Sequence, residues 1–314
     1  MQPLAVFYGE PLRRYAFPEG HPFSVRRVER YWENAKEAGI LASNKVAVHE
    51  PAKATEEDLL TFHISEYVKL VKKASEVGSG YLDNGDTPAF KGVFEASSYV
   101  AGTTLKALDL VMSGEAHNAF NPVGGLHHAW RDRASGFCVF NDVETAIVRA
   151  KEKYALKRIL YVDIDAHHGD GVFYESYSDP NVFIADMHED GRFLFPGTGF
   201  EHETGSEEGE GRKLNVVLAP GSGPKEFKKG FEKVITLAEK AEPELILFQC
   251  GADGLDGDPI AHLKYSPECH TFATENLLKL SERYCQGKIV GMGGGGYNIE
   301  NVARAWLEVT KGLM

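Results

Sequence analysis

The stretch "LYVDIDAHHGDGVFYES", from Leu160 to Ser176, carries three aspartates and two histidines within eight residues, directly after an apolar run. Continuous apolar runs of this kind are typical of strands that are buried on both faces of a parallel sheet. Charged groups are costly to bury unless a partner or a metal ion neutralises them. The stretch therefore predicts a core strand that leads into a functional site.

Short apolar runs like this one alternate with longer amphipathic segments along the whole chain. Eight runs are predicted to be strands: Ala5–Tyr8, Lys45–Glu50, His117–Pro122, Arg158–Asp165, Asn181–Asp186, Lys213–Ala219, Leu245–Cys250 and Lys288–Gly293. Helical periodicity is clearest in the segments Ser24–Gly39, Pro224–Glu242 and Ser266–Cys285. Alternation of strands and helices implies crossover connections and a mostly parallel sheet. We therefore predict one α/β domain that spans residues 1–314.

Composition narrows the class of protein. The formal net charge of -12, from 46 acidic and 34 basic residues, argues against a protein that mainly binds nucleic acid. The four cysteines lie far apart without a CxxC pair, which favours neither a thiolate zinc cluster nor a disulfide framework. The sequence shows neither a signal-peptide pattern nor an apolar stretch near twenty residues long. These features predict a cytoplasmic protein that binds neither nucleic acid nor membranes.

Five of the predicted strands are followed by motifs rich in histidine, aspartate or glycine. The third is followed by "GGLHHA", the fourth by "DIDAHHGDG", the fifth by "ADMHED", the seventh by "CGADGLDGDP" and the eighth by "GMGGGGYN". Ligands of open parallel sheets bind beyond the carboxyl ends of the strands. We therefore expect these five segments to converge on one site.

Two strand ends supply candidate metal ligands. Asp163, Asp165 and His167 occupy alternate positions, so in an extended chain their side chains would point the same way. Asp253 follows the neighbouring apolar run, where an unpaired charge would be costly. One histidine and two carboxylates that leave a coordination position open suit a catalytic zinc or a similar divalent ion.

The remaining polar groups suit proton transfer and oxyanion stabilisation. His127 and His128 are adjacent and cannot easily both bind one ion, whereas acidic partners such as Asp163 and Asp170 could orient them. Tyr297 follows four glycines, and its phenol could donate a hydrogen bond to a developing oxyanion. A phosphate-binding glycine loop is the alternative, but such loops usually carry a lysine. Metal, base and oxyanion donor together indicate hydrolysis of a carbonyl compound.

These motifs resemble the histone deacetylase superfamily, which includes acetoin utilisation proteins and acetylpolyamine amidohydrolases. The matching stretches are "HPFSVRRVE", "GDTPAF", "NPVGGLHHAWRDRASGFCVFNDV", "ILYVDIDAHHGDGV", "FPGTG", "GADGLDGDP" and "GMGGGGYN", in family order from about residue 8 to the C-terminus. The resemblance implies an arginase-like, three-layer α/β/α fold around an eight-stranded parallel sheet. It also implies a metal-dependent hydrolase that removes acetyl groups from amides.

The resemblance assigns roles to the site residues. It implies that three residues bind zinc, or Fe(II) in its place: Asp165, His167 and Asp253. His128, paired with Asp170, would be the general base, and His127, paired with Asp163, an electrostatic partner or proton donor. Tyr297 and the metal would polarise the amide carbonyl.

A narrow substrate channel is also implied. Its lining would include Gly136, Phe137, Phe195 and Ile260. Asp86 would accept backbone hydrogen bonds at the rim, although a turn aspartate would look the same. Arg27 would line a product exit cavity, or else be an ordinary surface-helix arginine.

Family members also bind a structural potassium ion. Here its ligands would come from Asp163, Asp165, His167, Asp186 and Met187. Asp186 is a departure, because relatives carry a serine or a similar residue at that position. The sequence therefore predicts an extra carboxylate beside the cation.

Two other functions are disfavoured by particular residues. Dinuclear manganese hydrolases of guanidinium groups would need an aspartate two residues before Asp253, where this chain has Gly251. A protein that only binds acylated lysine would be expected to have lost Tyr297 or a metal ligand.

The substrate class is the open choice between acetylated lysine of proteins or peptides and acetylpolyamines. Polyamine-selective relatives often carry an acidic residue just after "GDP", where this chain has Ile260. No long insertion lies between Asp86 and His127. Both features favour acetyl-lysine, and the oligomeric state is not predicted.

Overall fold

The computed structural model describes residues 3–18 and 20–314, which form one eight-stranded sheet. The strands are β1 (Leu4–Phe7), β2 (Val46–His49), β3 (Asn118–Asn121), β4 (Ile159–Asp163), β5 (Val182–Glu189), β6 (Lys213–Leu218), β7 (Leu245–Gln249) and β8 (Ile289–Met292). All neighbouring strands are parallel, in the order β2-β1-β3-β8-β7-β4-β5-β6. All eight predicted strands are confirmed.

The helices cover both faces of this sheet. They are α1 (Glu10–Arg13), α2 (Arg26–Glu37), α3 (Glu56–Leu60), α4 (Ser65–Val77), α5 (Val93–Ser113), α6 (Asp142–Glu152), α7 (Asp170–Glu175), α8 (Pro224–Ala241), α9 (Pro267–Cys285) and α10 (Ile299–Leu313). No helix among the described residues is both long enough and apolar enough to cross a membrane. The three predicted amphipathic segments correspond to α2, α8 and α9.

Alternate residues of the central strands pack into different cores. Tyr161 of β4 belongs to the core that includes side chains of α4, α5 and α6, whereas its neighbour Leu160 belongs to the core that includes side chains of α2, α8, α9 and α10. Successive side chains of a strand point to opposite faces, so a strand covered on both sides has no polar face. This arrangement explains the continuous apolar runs and confirms the three-layer prediction.

The strand order explains why the polar motifs meet. The five strands with unusual ends are consecutive in the sheet, as β3-β8-β7-β4-β5. Asp163 at the end of β4 is in register with Gln249 of β7 on one side and with Asp186 of β5 on the other. The loops that leave these strands therefore share one edge of the sheet.

The predicted extended run of alternating ligands is wrong in its local conformation. β4 ends at Asp163, two residues before the predicted boundary, and the chain bends after it. The Asp163 carboxylate accepts the N–H of Asp165 at 3.1 Å, and the Asp165 carboxylate accepts the N–H of His167 at 3.0 Å. Such side-chain to backbone hydrogen bonds compete with the strand ladder.

Glu144 is a buried carboxyl group near the start of α6. It is 4% exposed, and the Ser176 hydroxyl donates a hydrogen bond to it at 2.6 Å. Burial raises the pKa of Glu144 from 4.5 to about 8, because the ionised form loses its hydration. Because the pKa of Glu144 is higher in the folded protein than in the unfolded chain, the free energy of unfolding falls as the pH rises from about 4.5 to about 8.

Glu144→Gln is therefore expected to raise the free energy of unfolding at about pH 9 by roughly 1–3 kcal/mol, and to change it little at about pH 5. The amide oxygen of glutamine can still accept the Ser176 hydrogen bond. Denaturant unfolding across this pH range measures the difference. Glu152→Gln, at an exposed position of the same helix, is the control. A gain that does not vary with pH would contradict the prediction.

Candidate active site

The predicted metal ligands converge beyond β4 and β7. Asp165, His167 and Asp253 each offer one ligand atom, and these atoms lie within 4.8 Å of one another. His167 Nδ1 lies 3.0 Å from Oδ1 of Asp165 and 3.0 Å from Oδ2 of Asp253. The two carboxylates are at most 1% exposed, and His167 is 6% exposed. The three side chains form a buried site with one nitrogen and two oxygen ligands.

Two glycines make room for these carboxylates. A Cβ atom on Gly251 would lie 2.1 Å from Oδ2 of Asp165, and one on Gly295 would lie 2.2 Å from Oδ2 of Asp253. The Gly295 N–H also donates to Oδ2 of Asp165 at 2.8 Å. Any side chain at residue 251 would collide with Asp165. The position that would carry a second metal's aspartate is therefore closed.

The charges of this cluster fit a divalent cation. Burial, reinforced by the charge of Asp165, raises the pKa of Asp253 to about 7. Two carboxylates this close together repel each other strongly when they are buried away from water. A bound cation relieves this repulsion, and a mixed nitrogen and oxygen ligand set suits zinc or Fe(II).

His127 and His128 follow β3 and are each held by one aspartate. Nδ1 of His127 lies 2.8 Å from Oδ2 of Asp163, and Nδ1 of His128 lies 2.6 Å from Oδ1 of Asp170. The two imidazole rings are 4.0 Å apart between centroids. Trp130 Nε1 donates to the other oxygen of Asp170 at 3.1 Å. The structure thus brings together both predicted histidine–aspartate pairs.

The two imidazoles differ in charge. Burial opposes protonation of His127, but the charges of Asp163 and Asp165 outweigh it and raise its pKa to about 10. Burial and the neighbouring charge of His127 lower the pKa of His128 to about 4. At neutral pH His128 is therefore an uncharged imidazole beside a cationic one. Because Nδ1 of His128 faces Asp170, its hydrogen lies on Nδ1 and its lone pair on Nε2.

Tyr297 follows β8 and shares a cavity with His128 and His167. Burial, followed by the charge of Asp253, raises the pKa of Tyr297 well above its usual value, so the phenol keeps its proton. Arg27 lies behind the preceding glycines: its Nε donates to the Gly296 carbonyl at 2.7 Å, and its Nη2 donates to the Gly294 carbonyl. Arg27 is 2% exposed, so the surface-arginine alternative is wrong.

A cavity of about 350 Å³ leads to the cluster and is lined by the five residues predicted to bind substrate. The complete lining is Asp86, His128, Gly136, Phe137, His167, Leu194, Phe195, Ile260 and Tyr297. Phe137 and Phe195 supply aromatic walls, whereas Asp86 also lines a second cavity at the mouth. An aromatic channel of this kind suits a long apolar stem.

Phe137 holds an uncommon backbone conformation in this wall. Its φ is 68°, in the left-handed region that non-glycine residues rarely adopt. Its N–H donates to the Thr87 hydroxyl at 3.0 Å, and its carbonyl accepts the Tyr15 hydroxyl at 2.7 Å. These two hydrogen bonds hold the ring where it forms the wall.

The extra carboxylate at Asp186 has a partner within the chain. Nδ1 of His188 lies 2.7 Å from Asp186 Oδ1, and Nε2 of His188 lies 2.8 Å from the Gly199 carbonyl. Both nitrogens of this fully buried ring face acceptors, so both donate and the ring is a cation. The Gly169 N–H donates to Oδ2 of Asp186 at 2.9 Å. The charge of Asp186 is therefore balanced by His188.

Sequence reasoning missed several residues of the site. Leu194 lines the channel, and the ring of His21 packs edge-on against Phe137 at 4.5 Å. Gln249 Nε2 donates to Oδ2 of Asp165 at 2.8 Å. A glutamine in an otherwise apolar strand was the signal for this residue, because a buried amide needs polar partners.

Asp258, the last aspartate of "GADGLDGDP", was also missed. Its Oδ2 accepts the N–H groups of Tyr297 at 2.8 Å and of Asn298 at 3.4 Å, and its Oδ1 accepts the Ile260 N–H at 3.0 Å. One carboxylate therefore ties the backbone of the tyrosine to a wall of the channel. The sequence feature that could have identified Asp258 is that "GADGLDGDP" contains three aspartates, although only one of them is needed as a metal ligand.

Asp258→Asn is expected to lower kcat by about 10- to 100-fold, because small displacements of reacting groups are costly. Both carboxylate oxygens accept N–H groups, so the amide nitrogen of asparagine would face a donor. In a protein that already carries Tyr297→Phe, Asp258→Asn should lower kcat little further. Asn301→Ala, which removes only a hydrogen bond to the Asp256 carbonyl, is the control. Equal losses of kcat in both backgrounds would contradict this positioning role. Metal content per chain distinguishes a displaced Tyr297 from a lost metal ion.

Comparisons with known proteins agree with the geometry. A model of the histone deacetylase domain matches residues 21–313. The acetoin utilization protein AcuC of Bacillus subtilis (strain 168) is 39% identical over 326 residues, which cover 100% of this chain and 83% of that protein. AcuC of Staphylococcus aureus (strain MRSA252) is 36% identical, over 99% of this chain and 81% of that protein.

Solved structures show the same similarity. The crystal structure of the HDA15 HD domain matches with a TM-score of 0.92 and 27% identity, over 99% of this chain and 88% of that one. The crystal structure of an HDAC homologue complexed with SAHA matches with a TM-score of 0.86 and 31% identity, over 100% of this chain and 84% of that one. The similarity therefore extends along nearly the whole chain.

Proposed function

Because this chain belongs to the histone deacetylase family and is a deacetylase, we propose that it removes acetyl groups from lysine side chains of proteins or peptides with the help of zinc. The observation that carries this proposal is the continuity of one cavity. That cavity runs from the aromatic walls at Phe137 and Phe195 to the cluster that contains His128, His167 and Tyr297. A lysine side chain is a long apolar stem whose acetylated end would reach this cluster.

Asp165, His167 and Asp253 would hold the zinc ion. A divalent ion bound there would supply Lewis acidity, which polarises a carbonyl group and makes water a better nucleophile. The support is the buried nitrogen and oxygen ligand set and the repulsion between its carboxylates. We also assign the potassium ion to the region of Asp163, Asp165, His167, Asp186 and Met187, on the family resemblance alone.

His128 would accept the proton of the attacking water at Nε2. Asp170 keeps the hydrogen of His128 on Nδ1, and the cation of the neighbouring His127 keeps His128 uncharged until it takes that proton. His127, held by Asp163, would stabilise the negative charge that develops during attack and would help to return a proton to the leaving amine.

Tyr297 would donate a hydrogen bond to the oxygen of the attacked carbonyl. Its raised pKa keeps the donor hydrogen in place, and Arg27 holds the glycine loop that carries it. Donors placed in advance at a developing oxyanion stabilise the transition state more than the ground state.

The test compares kcat/KM for an acetyl-lysine peptide with kcat/KM for acetylspermidine, on zinc-loaded protein and after treatment with a chelator. We expect the peptide to be preferred, and activity to vanish with the chelator and return with zinc. Preference for acetylspermidine would replace acetyl-lysine by acetylpolyamine as the substrate, and the carboxylate of Asp86 at the mouth would then be the partner of its ammonium group. Activity that resists the chelator would refute the zinc assignment.

A further inference from the structure

A second cavity, of about 460 Å³, adjoins the mouth of the substrate channel. It shares Asp86, Gly136 and Phe195 with the channel cavity. Its far walls include Leu70 of α4 and Tyr81, which follows that helix. We call this cavity the flank groove. A main chain that passes along this shared edge would place the side chain of a neighbouring residue at the second cavity.

Exposed apolar side chains are concentrated at the flank groove. Among the described residues, eight large hydrophobic side chains are exposed, and three of them line this groove. These three are Leu70 at 49%, Tyr81 at 60% and Phe195 at 44% exposure. Single exposed apolar residues are ordinary, but a group of them that lines one cavity beside a site indicates a binding surface.

Of the charged residues that line the flank groove, Asp83 is occupied within the chain and Arg133 only in part. Oδ1 of Asp83 accepts three backbone N–H groups of its own turn, and its Oδ2 accepts the Thr87 hydroxyl at 2.6 Å. The Arg133 guanidinium lies 4.2 Å from the ring centroid of Trp130 and pairs with Asp132 at 2.9 Å. The groove therefore offers an occupant the apolar area of Leu70, Tyr81 and Phe195, beside the partly exposed Arg133 guanidinium.

Asp86 is the acidic residue of the groove that remains available, and it lies at the edge that the two cavities share. Its carboxylate accepts no hydrogen bond from the described residues, so it is available to backbone N–H groups of a bound chain. A polyamine carries several ammonium groups and no side chains. One available carboxylate beside an apolar groove fits such a substrate poorly, whereas it fits a peptide main chain with an apolar neighbouring residue.

We propose that the flank groove receives the side chain of a residue next to the acetylated lysine, and that it selects an apolar one. This inference rests on the proposed function, and it narrows the substrate class to peptides and proteins with an apolar residue beside the modified lysine. The groove would add to binding by burying that side chain against Leu70 and Tyr81, without touching the reacting atoms.

The experiment compares kcat/KM for doubly blocked acetyl-lysine, which has no neighbours, with kcat/KM for tripeptides that carry leucine or aspartate on either side. We expect the leucine peptide to exceed the aspartate peptide by about 10-fold, the scale expected for burying part of one apolar side chain. Equal values for the leucine and aspartate peptides on both sides would overturn the inference, while turnover of these substrates would leave the proposed function standing.

Variants locate the effect in the groove. Tyr81→Ser and Leu70→Ser should each reduce the ratio between the leucine and aspartate peptides toward one. Val77→Ser is the matched control, because Val77 is 63% exposed and lies on the same helix as Leu70 but outside the groove. A preference that survives both groove variants would overturn the inference. Absence of turnover with every acetyl-lysine substrate would refute the proposed function, and the groove assignment with it.

Discussion

Tyr297→Phe is expected to lower kcat by about 100- to 1000-fold, the usual loss when one oxyanion donor is removed. The phenylalanine ring can keep the edge-to-face contact with Phe137, at 5.8 Å between centroids, so the channel wall should survive. KM should change little, because the lost hydrogen bond forms chiefly in the transition state. Steady-state kinetics on the acetyl-lysine peptide, together with zinc content per chain, measure these effects.

Tyr154→Phe is the matched control for this prediction. It removes the same atom from a tyrosine whose hydroxyl donates to Asp109 at 2.8 Å, away from the channel. A near-normal kcat for Tyr297→Phe would disprove the oxyanion role. Loss of zinc from that variant would instead indicate that the phenol helps to hold the metal cluster together.

Asp253→Ala is expected to abolish zinc retention, with affinity reduced by more than about 100-fold. Loss of a residue that merely orients a metal ligand already lowers metal affinity by about 10- to 100-fold, and Asp253 is proposed as a direct ligand. The metal-free variant should lose some stability relative to the metal-free parent, because Oδ1 of Asp253 accepts the buried Ala166 N–H at 2.7 Å, although burial and the charge of Asp165 disfavour ionised Asp253 and offset part of this loss. Added zinc should raise the Tm of the parent, and it should raise the Tm of the variant much less.

Zinc per chain after dialysis against a chelator, and Tm with and without zinc, check this expectation. Asp256→Ala removes an exposed carboxylate from the same loop and should retain zinc. Asp165→Ala should also lose zinc, but at a greater structural cost, because Oδ2 of Asp165 accepts hydrogen bonds from Gln249 and from the Gly295 N–H. Full zinc retention by Asp253→Ala would refute the ligand assignment.

Much of the site could be predicted from the sequence, because charged residues directly after buried apolar strands are costly unless a partner or a metal ion neutralises them. Asp165, His167 and Asp253 follow buried strands, and parallel strands deliver their carboxyl ends to one edge. That Asp163 and Asp170 would hold His127 and His128 was also predictable, because adjacent imidazoles need separate partners, whereas the assignment of each aspartate to its histidine came from the family resemblance.

Other features depend on distances that sequence spacing does not encode. The bend after Asp163 arises from hydrogen bonds between carboxylates and backbone N–H groups, which an alternating pattern cannot distinguish from a strand. Asp258 and Tyr297 are 39 residues apart, and the hydrogen bond between them depends on how two loops meet. The neutralisation of Asp186 by His188 likewise depends on where the Gly199 carbonyl lies.

The sequence by itself determined the alternation of strands and helices, the sheet edge that carries the site and the residue types that do its chemistry. Those properties follow from local periodicity and from the cost of burying charge. Only the tertiary structure decided which polar groups are satisfied within the chain and which remain available to a substrate. Asp83 and Asp86 stand three residues apart in one turn, yet the first carboxylate is occupied by that turn and the second faces the channel mouth.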